Sequence, residues 1–433
     1  MDISKIVDDL AFAYIFAAPL VIMKASIPSE RNLINHREKL SDASKKRIPR
    51  PGVDTIFSPA HLDLATSPLV LVTPSSKTKI NPEGRHCAWE FIDAWSNCIA
   101  LIGTGFLGGD DGGTYVLCGP DYKGDVPKGM MRIDFPTNMA WGTCRNLVVT
   151  DADLEDIRQV QSGMALYPLH PETYVKREFP PFPATPDVPL RMFQSLDLDT
   201  YFNLYNHLVL ENPTYDYDAP ALERITPYGI GPGLTFRMAQ FPADQCAAIE
   251  QAVRNKADQI MQGFYENTYE KNGWYYSHEL TAHFGTDYVC RATVALTGLV
   301  ANPPEMAIYL RRMTDSAGER LNTTHHYRLR FEKDAFPPVK RMGFWSITAY
   351  DMDYFLISNP YKRQRFSLSN QPRFNSDGSL DCLFQKDAPE DSSWFGNFLP
   401  CGEGDFELVL RIYLPEDAVM DHSWEPPCVE RLE

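Results

Sequence analysis

Residues 112–138 read GGTYVLCGPDYKGDVPKGMMRIDFPTN, and this stretch decides the fold class. Two runs of strand-forming residues, TYVLC and MMRID, are separated and bounded by glycine, proline and asparagine. Because glycine and proline interrupt regular structure while β-branched and aromatic residues suit a pleated sheet, the pattern predicts two strands joined by a loop. The same pattern precedes it in LDLATSPLVLVTP (62–74) and EFIDAWSNCIALIGTG (90–105). Short strands about ten residues apart predict an antiparallel β-sandwich or barrel.

A helix and a proline-rich segment end this first unit. After Thr150 an acidic start precedes apolar residues at helical spacing, which predicts one helix. These apolar residues are Leu154, Ile157, Val160 and Met164. Residues 180–189, PPFPATPDVP, contain five prolines. Proline disfavours helical backbone in the residue before it, so we expect an extended connection and a domain boundary there.

The middle of the chain is predicted to be helical and its last hundred residues to be β. Apolar residues recur every three to four positions in 198–212 (LDTYFNLYNHLVLEN) and 241–267, and the second run contains no proline after its start. From His325 onward strand-like patterns return. They are HHYRLRF, GFWSITAYD, LDCLFQKD and DFELVLRIYLP. A second β-sandwich is therefore expected.

The apolar stretch from Leu10 to Met23, LAFAYIFAAPLVIM, is the candidate for a membrane or export segment. Its 14 residues are short for a bilayer span, which needs about 20. An export signal begins with basic residues, whereas three early aspartates outnumber Lys5. We expect a buried first helix and no membrane span. The predicted units are a helix with its lead-in (1–45), a β-sandwich (46–179), a helical domain (180–317) and a second β domain (318–433).

The composition excludes some partners and compartments. The chain has 433 residues, a formal net charge of −16 and a pI near 5.1. A strongly acidic chain repels phosphate backbones, so we expect no nucleic-acid partner. Its nine cysteines stand singly, without the paired spacing of a zinc site, which favours a reducing, cytoplasmic location. We expect no cofactor and no bound metal, and homo-oligomerisation stays open.

Two motif-like stretches are interpreted as chance matches. Residues 103–108, GTGFLG, fit the dinucleotide-binding pattern, but the acidic GDDGG follows where that pattern requires a helix, so we expect a hairpin loop. In HELTAH (278–283) the histidines stand five residues apart and would diverge by about 140° on a helix. They are therefore predicted to be structural, with His283 able to line a pocket. No GxSxG, P-loop or CxxC pattern occurs in the sequence, which leaves covalent hydrolase chemistry without support.

Polar residues embedded in aromatic sequence are the main candidates for function. They occur in DAWSN (93–97), DYVCR (287–291) and YDMDY (350–354). Carboxylates beside aromatic rings suit a pocket that binds an apolar substrate and supplies protons; the alternative is a set of buried ion pairs and turn-capping aspartates. The candidate catalytic residues are Asp93, Tyr288 and Asp351 as proton donors or acceptors, and Arg145 and Arg291 as groups that polarise a carbonyl. The candidate substrate-binding residues are Trp95, Asn97, His283, His325, Trp345 and Tyr350.

Across nearly its whole length the chain resembles proteins that pair domain of unknown function 1254 with domain of unknown function 1214. The first half resembles them in RPGVDTIFSPAHLDLATSPLVLVTP and in the arginine of WGTCRNLVV, the middle in FGTDYVCRATVAL, and the last part in GFWSITAYDMDYFLISNP and LPCGEGDFELVLRIYLPEDAV. The resemblance implies an N-terminal immunoglobulin-like β-sandwich, a helical insert and a C-terminal jelly roll. It transfers no catalytic residue. Many bacterial members carry an export signal, whereas this chain begins almost directly at the first helix of the family, which favours an intracellular location.

Three functions are compatible with these observations. The leading hypothesis is an enzyme without a redox cofactor that acts on a hydrophobic small molecule, as a cyclase, isomerase or pericyclic catalyst of specialised metabolism. The first alternative is a protein that binds a glycan or lipid through Trp95, Trp345 and Tyr350 without turnover. The second is metal-dependent chemistry in the jelly roll using His325 and Asp351. We expect the site in a cleft between the helical unit and the C-terminal sheet, because domain junctions concentrate ligand pockets.

Overall fold

The structure is a computed structural model that describes residues 2–44, 46, 49–180, 182, 195–265 and 268–432. The predicted boundary at 180–189 lies mostly outside these residues. Within them the chain forms four β-sheets and a group of helices. The helices are α1 (Ile3–Ser26), α2 (Asp153–Ser162), α3 (Leu198–Leu208), α4 (Ala219–Ile225), α5 (Cys246–Tyr265), α6 (Tyr288–Gly298) and α7 (Asp417–Met420).

The N-terminal β domain contains two packed sheets. Its strands are β1 (Leu33–Ile34), β2 (Thr55–Asp63), β3 (Leu69–Thr73), β4 (Cys87–Asp93), β5 (Cys98–Gly103), β6 (Leu107–Gly108), β7 (Gly113–Cys118), β8 (Met131–Asp134), β9 (Met139–Leu147) and β10 (Ala165–Pro168). The sheet orders are β1-β2-β9-β4-β5-β6 and β10-β3-β7-β8. Buried aromatic and aliphatic side chains, among them Trp89, Phe91 and Tyr115, fill the space between them. Two pairs, β5 with β6 and β7 with β8, are parallel, so the sandwich is not purely antiparallel as expected.

The C-terminal β domain is a second pair of sheets. Its strands are β11 (Glu270–Lys271), β12 (Trp274–Tyr276), β13 (Ala307–Arg312), β14 (His326–Phe331), β15 (Val339–Tyr350), β16 (Leu380–Gln385), β17 (Phe398–Pro400), β18 (Glu407–Pro415) and β19 (Val429–Leu432). They are ordered β11-β12-β13-β18-β15 and β17-β16-β14-β19. The first three strands precede residue 318, where we placed the domain boundary. Because β13 pairs with β18 over six residues, the C-terminal domain starts well before that position.

The helical unit is built around α1. Helices α3, α4, α5 and α6 contact α1, and one apolar cluster runs through all five. The cluster reaches Ile92 and Trp95 of the N-terminal domain, which ties the two units together. By length and apolar composition α1 is a helix that a membrane could accommodate, yet 83% of its most apolar 18-residue window is buried inside the protein. Helix α1, which we expected to form a unit with the lead-in, therefore packs as the central helix of the middle unit.

The two β domains meet through polar contacts as well as apolar ones. Asp54, beside β2, accepts a hydrogen bond from Ser346 on β15 at 2.8 Å and lies 3.4 Å from the guanidinium of Arg365. Arg50 pairs with the fully buried Glu407 of β18 at 2.7 Å. The overall layout, an N-terminal β domain, a helical middle and a C-terminal β domain, confirms the predicted mainly β fold class.

Candidate functional site

The β4–β5 hairpin places Asp93 at the edge of the helical unit, where its carboxylate is fully engaged. Its Oδ1 accepts the backbone N–H groups of Trp95 and Asn97 at 2.9 and 2.8 Å, and its Oδ2 accepts the Tyr215 hydroxyl at 2.6 Å. Asn97 Nδ2 adds a fourth bond to Oδ2 at 3.3 Å. Burial raises the pKa of Asp93 above its usual range, and these hydrogen bonds partly counteract that shift. The side chain organises the turn, which is the structural role that the sequence left open.

The same turn buries Trp95 against α1. The ring is fully buried, its Nε1–H donates to the Pro213 carbonyl at 2.9 Å, and its centre lies 5.7 Å from the ring centre of Phe16. Because both the ring and its polar atom are satisfied inside the protein, Trp95 is not available to stack on a glycan at the surface. It forms one wall of the site described next.

Arg291 on α6 is the most unusual side chain of the helical unit. It is 0% exposed, and none of its three guanidinium nitrogens has a hydrogen-bond partner among the described residues. Its guanidinium carbon lies 5.3 Å from the ring centre of Phe16, 5.1 Å from Trp95 and 5.0 Å from Tyr288. Cation–π contacts of this kind are worth about 0.5–2 kcal/mol each. They offset only part of the free energy of burying an unpaired charge, which is several kcal/mol.

Further polar atoms without partners surround Arg291. The Tyr205 hydroxyl is buried and has no hydrogen bond within the described chain, and the same holds for Oδ1 of Asp218, whose Oδ2 accepts the Tyr215 N–H at 3.0 Å. Burial, the charge of the Asp218 carboxylate and a side-chain hydrogen bond with Asp218 raise the pKa of Tyr288 to about 12. Buried polar groups are nearly always hydrogen-bonded in proteins. Two such groups beside the unpartnered guanidinium therefore point to a missing ligand or to ordered water.

A cavity of about 320 Å³ adjoins this cluster. Its walls come from α1, α5 and the first turn of α6, and Tyr288 belongs both to these walls and to the rings around Arg291. The apolar lining consists of Phe12, Ile15, Ile260 and Val289. Arg224 and the Asp8–Lys256 ion pair also line it. A pocket of this size and mixed lining fits a small organic molecule. It lies inside the helical unit, whereas we expected a cleft towards the C-terminal sheet.

Arg145 belongs to a different cluster, between the β domains. Its Nη1 lies 2.9 Å from Oε2 of the fully buried Glu90, and its Nη2 donates to the Val300 carbonyl at 2.9 Å. Burial raises the pKa of Glu90 to about 7, although Arg145 opposes the shift. His283 lies at the rim of this cluster, and its Nε2 is 2.9 Å from Oε1 of Glu305. The hydrogen bond with Glu305 raises the pKa of His283. This paired cluster has the form of a buried structural ion pair.

Tyr350 is also part of the junction between the β domains. Its ring is 0% exposed; its hydroxyl donates to the Pro51 carbonyl at 2.8 Å and accepts from Arg411 at 2.6 Å. Trp345 is 6% exposed and packs within the C-terminal core against Phe331 and Phe366. Neither ring is presented to a ligand at the surface.

The remaining predicted residues lie apart from Arg291. Oδ1 of Asp351 accepts the backbone N–H groups of Asp353 and Phe355 at 3.0 and 2.8 Å, so this carboxylate caps a turn after β15. His325 is half-buried immediately before β14, in the other sheet of that domain. One group of three side chains that could hold a metal ion, His278, Asp287 and Cys290, occurs in the described chain. It includes neither Asp351 nor His325.

The GTGFLG stretch lies where the chain passes from one sheet of the N-terminal domain to the other. Gly103, Gly105 and Gly108 all have positive φ, and a Cβ at Gly103 would lie 2.3 Å from the Cys87 carbonyl oxygen. These glycines allow the turns between β5, β6 and β7, which begins in the opposite sheet. Asp110, just beyond the motif, accepts the Thr104 hydroxyl at 2.6 Å and pairs with Arg341 at 2.8 Å. The loop thus fastens the N-terminal domain to the C-terminal one.

The structure brings together five of the predicted residues and adds others that sequence reasoning missed. Asp93, Trp95, Asn97, Tyr288 and Arg291 meet at the junction of the β4–β5 turn with α1 and α6. Tyr205 and Asp218 were not predicted. A signal for Asp218 was present, since TYDYD at 214–218 has the same alternation of carboxylates and aromatic rings as the segments we selected.

Comparison with known proteins gives the family. Residues 31–168 match the family described as "Protein of unknown function (DUF1254)", and residues 306–417 match the family described as "Protein of unknown function (DUF1214)". The chain is a DUF1254–DUF1214 protein. The predicted resemblance is therefore confirmed, and none of the curated proteins matches this DUF1254–DUF1214 chain significantly.

Two solved structures resemble this DUF1254–DUF1214 protein. The crystal structure of the VPA0106 protein from Vibrio parahaemolyticus has a TM-score of 0.72 and 19% identity, and it covers 99% of this chain and 100% of its own. A putative uncharacterized protein from Burkholderia cenocepacia has a TM-score of 0.47 and 9% identity, over 97% of this chain and 87% of its own. The first similarity shows that the complete three-part fold is shared.

Proposed function

We propose that this chain is an enzyme that binds a hydrophobic small molecule in the helical unit and acts on it without a redox cofactor, as a cyclase, isomerase or pericyclic catalyst. The observation that carries the proposal is the buried guanidinium of Arg291, which has no hydrogen-bond partner among the described residues. An ionised group left in this state destabilises the protein unless something pairs with it. A carbonyl or carboxylate oxygen of a ligand would supply that pair.

The surroundings of Arg291 support an apolar body for that ligand. Phe16, Trp95 and Tyr288 present ring faces to the guanidinium, and the adjacent cavity of about 320 Å³ has apolar walls. Rings that enclose a flexible apolar chain restrict it to few conformers, which lowers the entropic part of a ring-closing barrier. A specialised metabolite with a polyene or polyketide body fits these requirements.

The polar atoms around Arg291 define the proposed chemistry. Arg291 donates hydrogen bonds to the substrate oxygen and stabilises negative charge that develops there during enolisation or cyclisation. The Tyr288 hydroxyl donates a further hydrogen bond, and the unpartnered Oδ1 of Asp218 accepts a proton from the substrate carbon. No redox step is needed, because the proton taken by Asp218 returns to the product. Loss of one preorganised donor of this type lowers kcat by about 10²–10³-fold.

The test begins with metabolites. Extracts of the source organism with and without the gene are compared, and any accumulated compound is incubated with the purified protein without added cofactor. Conversion by the wild type, together with a loss of at least about 10²-fold in Arg291→Met, supports the proposal. The matched control is Arg158→Met, the same chemical change at an exposed position on α2 that pairs with Glu155 at 3.0 Å.

The same experiment separates catalysis from binding alone. A compound that binds to the wild type but not to Arg291→Met, and that is never converted, would establish a binding protein with the same site and reject the catalytic part of the proposal. A compound that is converted equally by the wild type and by Arg291→Met would reject the site itself.

A further inference from the structure

Three metal-binding side chains meet on the other side of the first turn of α6. His278, Asp287 and Cys290 each offer a ligand atom, and these atoms all lie within 4.8 Å of one another. Cys290 is fully buried, while His278 and Asp287 are half-buried. This is the one group of three such side chains found in the part of the chain that the structure describes.

The local structure holds two of these side chains in place. Asp287 is the N-cap of α6, where its Oδ1 accepts the Cys290 N–H at 2.9 Å. Residues three apart on a helix share a face, so Asp287 and Cys290 point to one side, while Tyr288 and Arg291 form a neighbouring face. The second carboxylate oxygen of Asp287 is left for a ligand bond. One helical turn therefore presents the Arg291 site and this second cluster on adjacent faces.

His278 reaches the cluster from the segment after β12. Its ring lies 5.1 Å from the ring of Phe264 on α5, and its Nδ1 accepts the Leu280 N–H at 3.1 Å. A metal bound through Nδ1 would displace that N–H directly. A metal bound through Nε2 would require a proton on Nδ1 and would displace it as well. In both cases one hydrogen bond of an exposed turn is exchanged for a metal–ligand bond.

The donor set favours zinc or a similar divalent transition metal. Imidazole nitrogen, carboxylate oxygen and thiolate sulfur are the ligands that zinc takes in proteins, at about 2.0–2.3 Å. Tetrahedral geometry then separates the ligand atoms by roughly 3.5 Å. The observed separations of up to 4.8 Å need a contraction of about an ångström, which the side chain of His278 in its loop can supply. The buried Sγ of Cys290 has no access to solvent, which disfavours a role as a nucleophile instead.

We propose that His278, Asp287 and Cys290 bind a divalent metal ion through three protein ligands and leave a fourth position open. A cavity of about 460 Å³ lies beside them, and His278 and Asp287 line it together with Gln259 and Phe264 of α5. Three protein ligands and an open position facing a cavity are typical of zinc sites that act on a bound molecule. The proposal stands on these side chains alone and holds whether or not Arg291 binds a substrate.

Cobalt is a direct probe of the site. The full chain is purified without a histidine tag, dialysed against a chelator and titrated with Co²⁺ alone. We expect binding of one equivalent with a thiolate-to-cobalt charge-transfer band, and displacement of the cobalt by Zn²⁺. Cys290→Ser should remove the charge-transfer band. His278→Ala should lower the Co²⁺ affinity by more than about tenfold, since even outer-shell partners contribute about 10–100-fold.

Matched variants keep the result interpretable. Cys428→Ser removes an exposed thiol outside the cluster and should leave the band and the affinity unchanged. His278→Ala changes a half-buried loop residue, so its circular dichroism without metal should match that of the wild type. A wild type that takes up no stoichiometric cobalt, or a band that persists in Cys290→Ser, would overturn the proposal.

Discussion

Replacing Arg291 by methionine should stabilise the ligand-free protein. The guanidinium is fully buried and has no hydrogen-bond partner in the described chain, so its removal takes away an unpaired charge. Methionine has a similar unbranched shape and leaves the three surrounding rings in contact with apolar atoms. Exchange of buried charges for apolar side chains of similar volume stabilises proteins by up to about 1–4 kcal/mol. Loss of the cation–π contacts lowers the gain, and we expect about 1–2 kcal/mol.

Arg145 provides the matched control, because it is equally buried but paired. Its guanidinium lies 2.9 Å from Glu90 and donates to Val300. Arg145→Met leaves a carboxyl group buried without its partner, and breaking a buried pair in this way destabilises a protein by about 3–5 kcal/mol. The two variants make the same chemical change, and the predicted effects have opposite signs.

Equilibrium unfolding in urea is the assay for both variants. Tryptophan fluorescence and circular dichroism are followed on protein from which small molecules have been extracted. We expect Arg291→Met to raise the urea midpoint and Arg145→Met to lower it. If Arg291→Met is destabilised as strongly as Arg145→Met, Arg291 has a protein partner in solution, for which Asp218 with its unpartnered Oδ1 is a candidate, and the case for a ligand at this site is lost.

Further predictions concern the residues that the structure assigns to turns and junctions. Asp93→Ala should lower the free energy of unfolding by about 2–4 kcal/mol, because buried donors lose their acceptor. Asp351→Ala, at a half-exposed turn, should lower it by about 1 kcal/mol. Equal losses for the two variants in thermal unfolding would contradict this. Tyr350→Phe removes a hydroxyl that joins Arg411 to a backbone carbonyl. The free energy of unfolding should fall by about 1–3 kcal/mol, and the turnover of the folded fraction should not change. A selective loss of turnover would show that Tyr350 acts on substrate. Burial raises the pKa of Glu90 to about 7, so the native state holds its proton between pH 4.5 and pH 7 where the unfolded chain has released it, and stability from this group falls as pH rises through that range. The difference in unfolding free energy between wild type and Glu90→Gln should therefore shrink by up to about 3 kcal/mol from pH 4.5 to pH 7, and a constant difference would be inconsistent with the raised pKa.

Local sequence patterns predicted the fold class well where an element is long and its pairing is local. The strands of 87–103 form a hairpin, and their strand-forming residues and the turn at 94–97 all lie within one short segment. The first strands of the C-terminal sheet were missed for the opposite reason. Strands β11 and β12 have only two and three residues, and β13 is placed by pairing with β18, about a hundred residues away. No local pattern carries that information.

The sequence pointed to the right kinds of residue for the site, but it did not show which of these residues lie together in the fold. An aspartate between aromatic residues looks the same in DAWSN and in YDMDY, although Asp93 holds the turn whose Trp95 packs against Arg291 and Asp351 caps a remote turn. What distinguishes them is the packing of α1 against the β4–β5 turn, which brings Phe16 to Trp95. The missing partner of Arg291 was also invisible, because pairing depends on which carboxylates the fold leaves within reach.

The most direct test of the account is the retention of small molecules by the purified protein. Wild type and Arg291→Met are incubated with a metabolite extract of the source organism, separated from unbound compounds, denatured, and analysed by mass spectrometry. We expect the wild type to retain an apolar compound that bears a carbonyl or carboxylate group and Arg291→Met not to retain it. Equal retention by both proteins, or retention of no such compound by the wild type, would contradict a ligand site at Arg291.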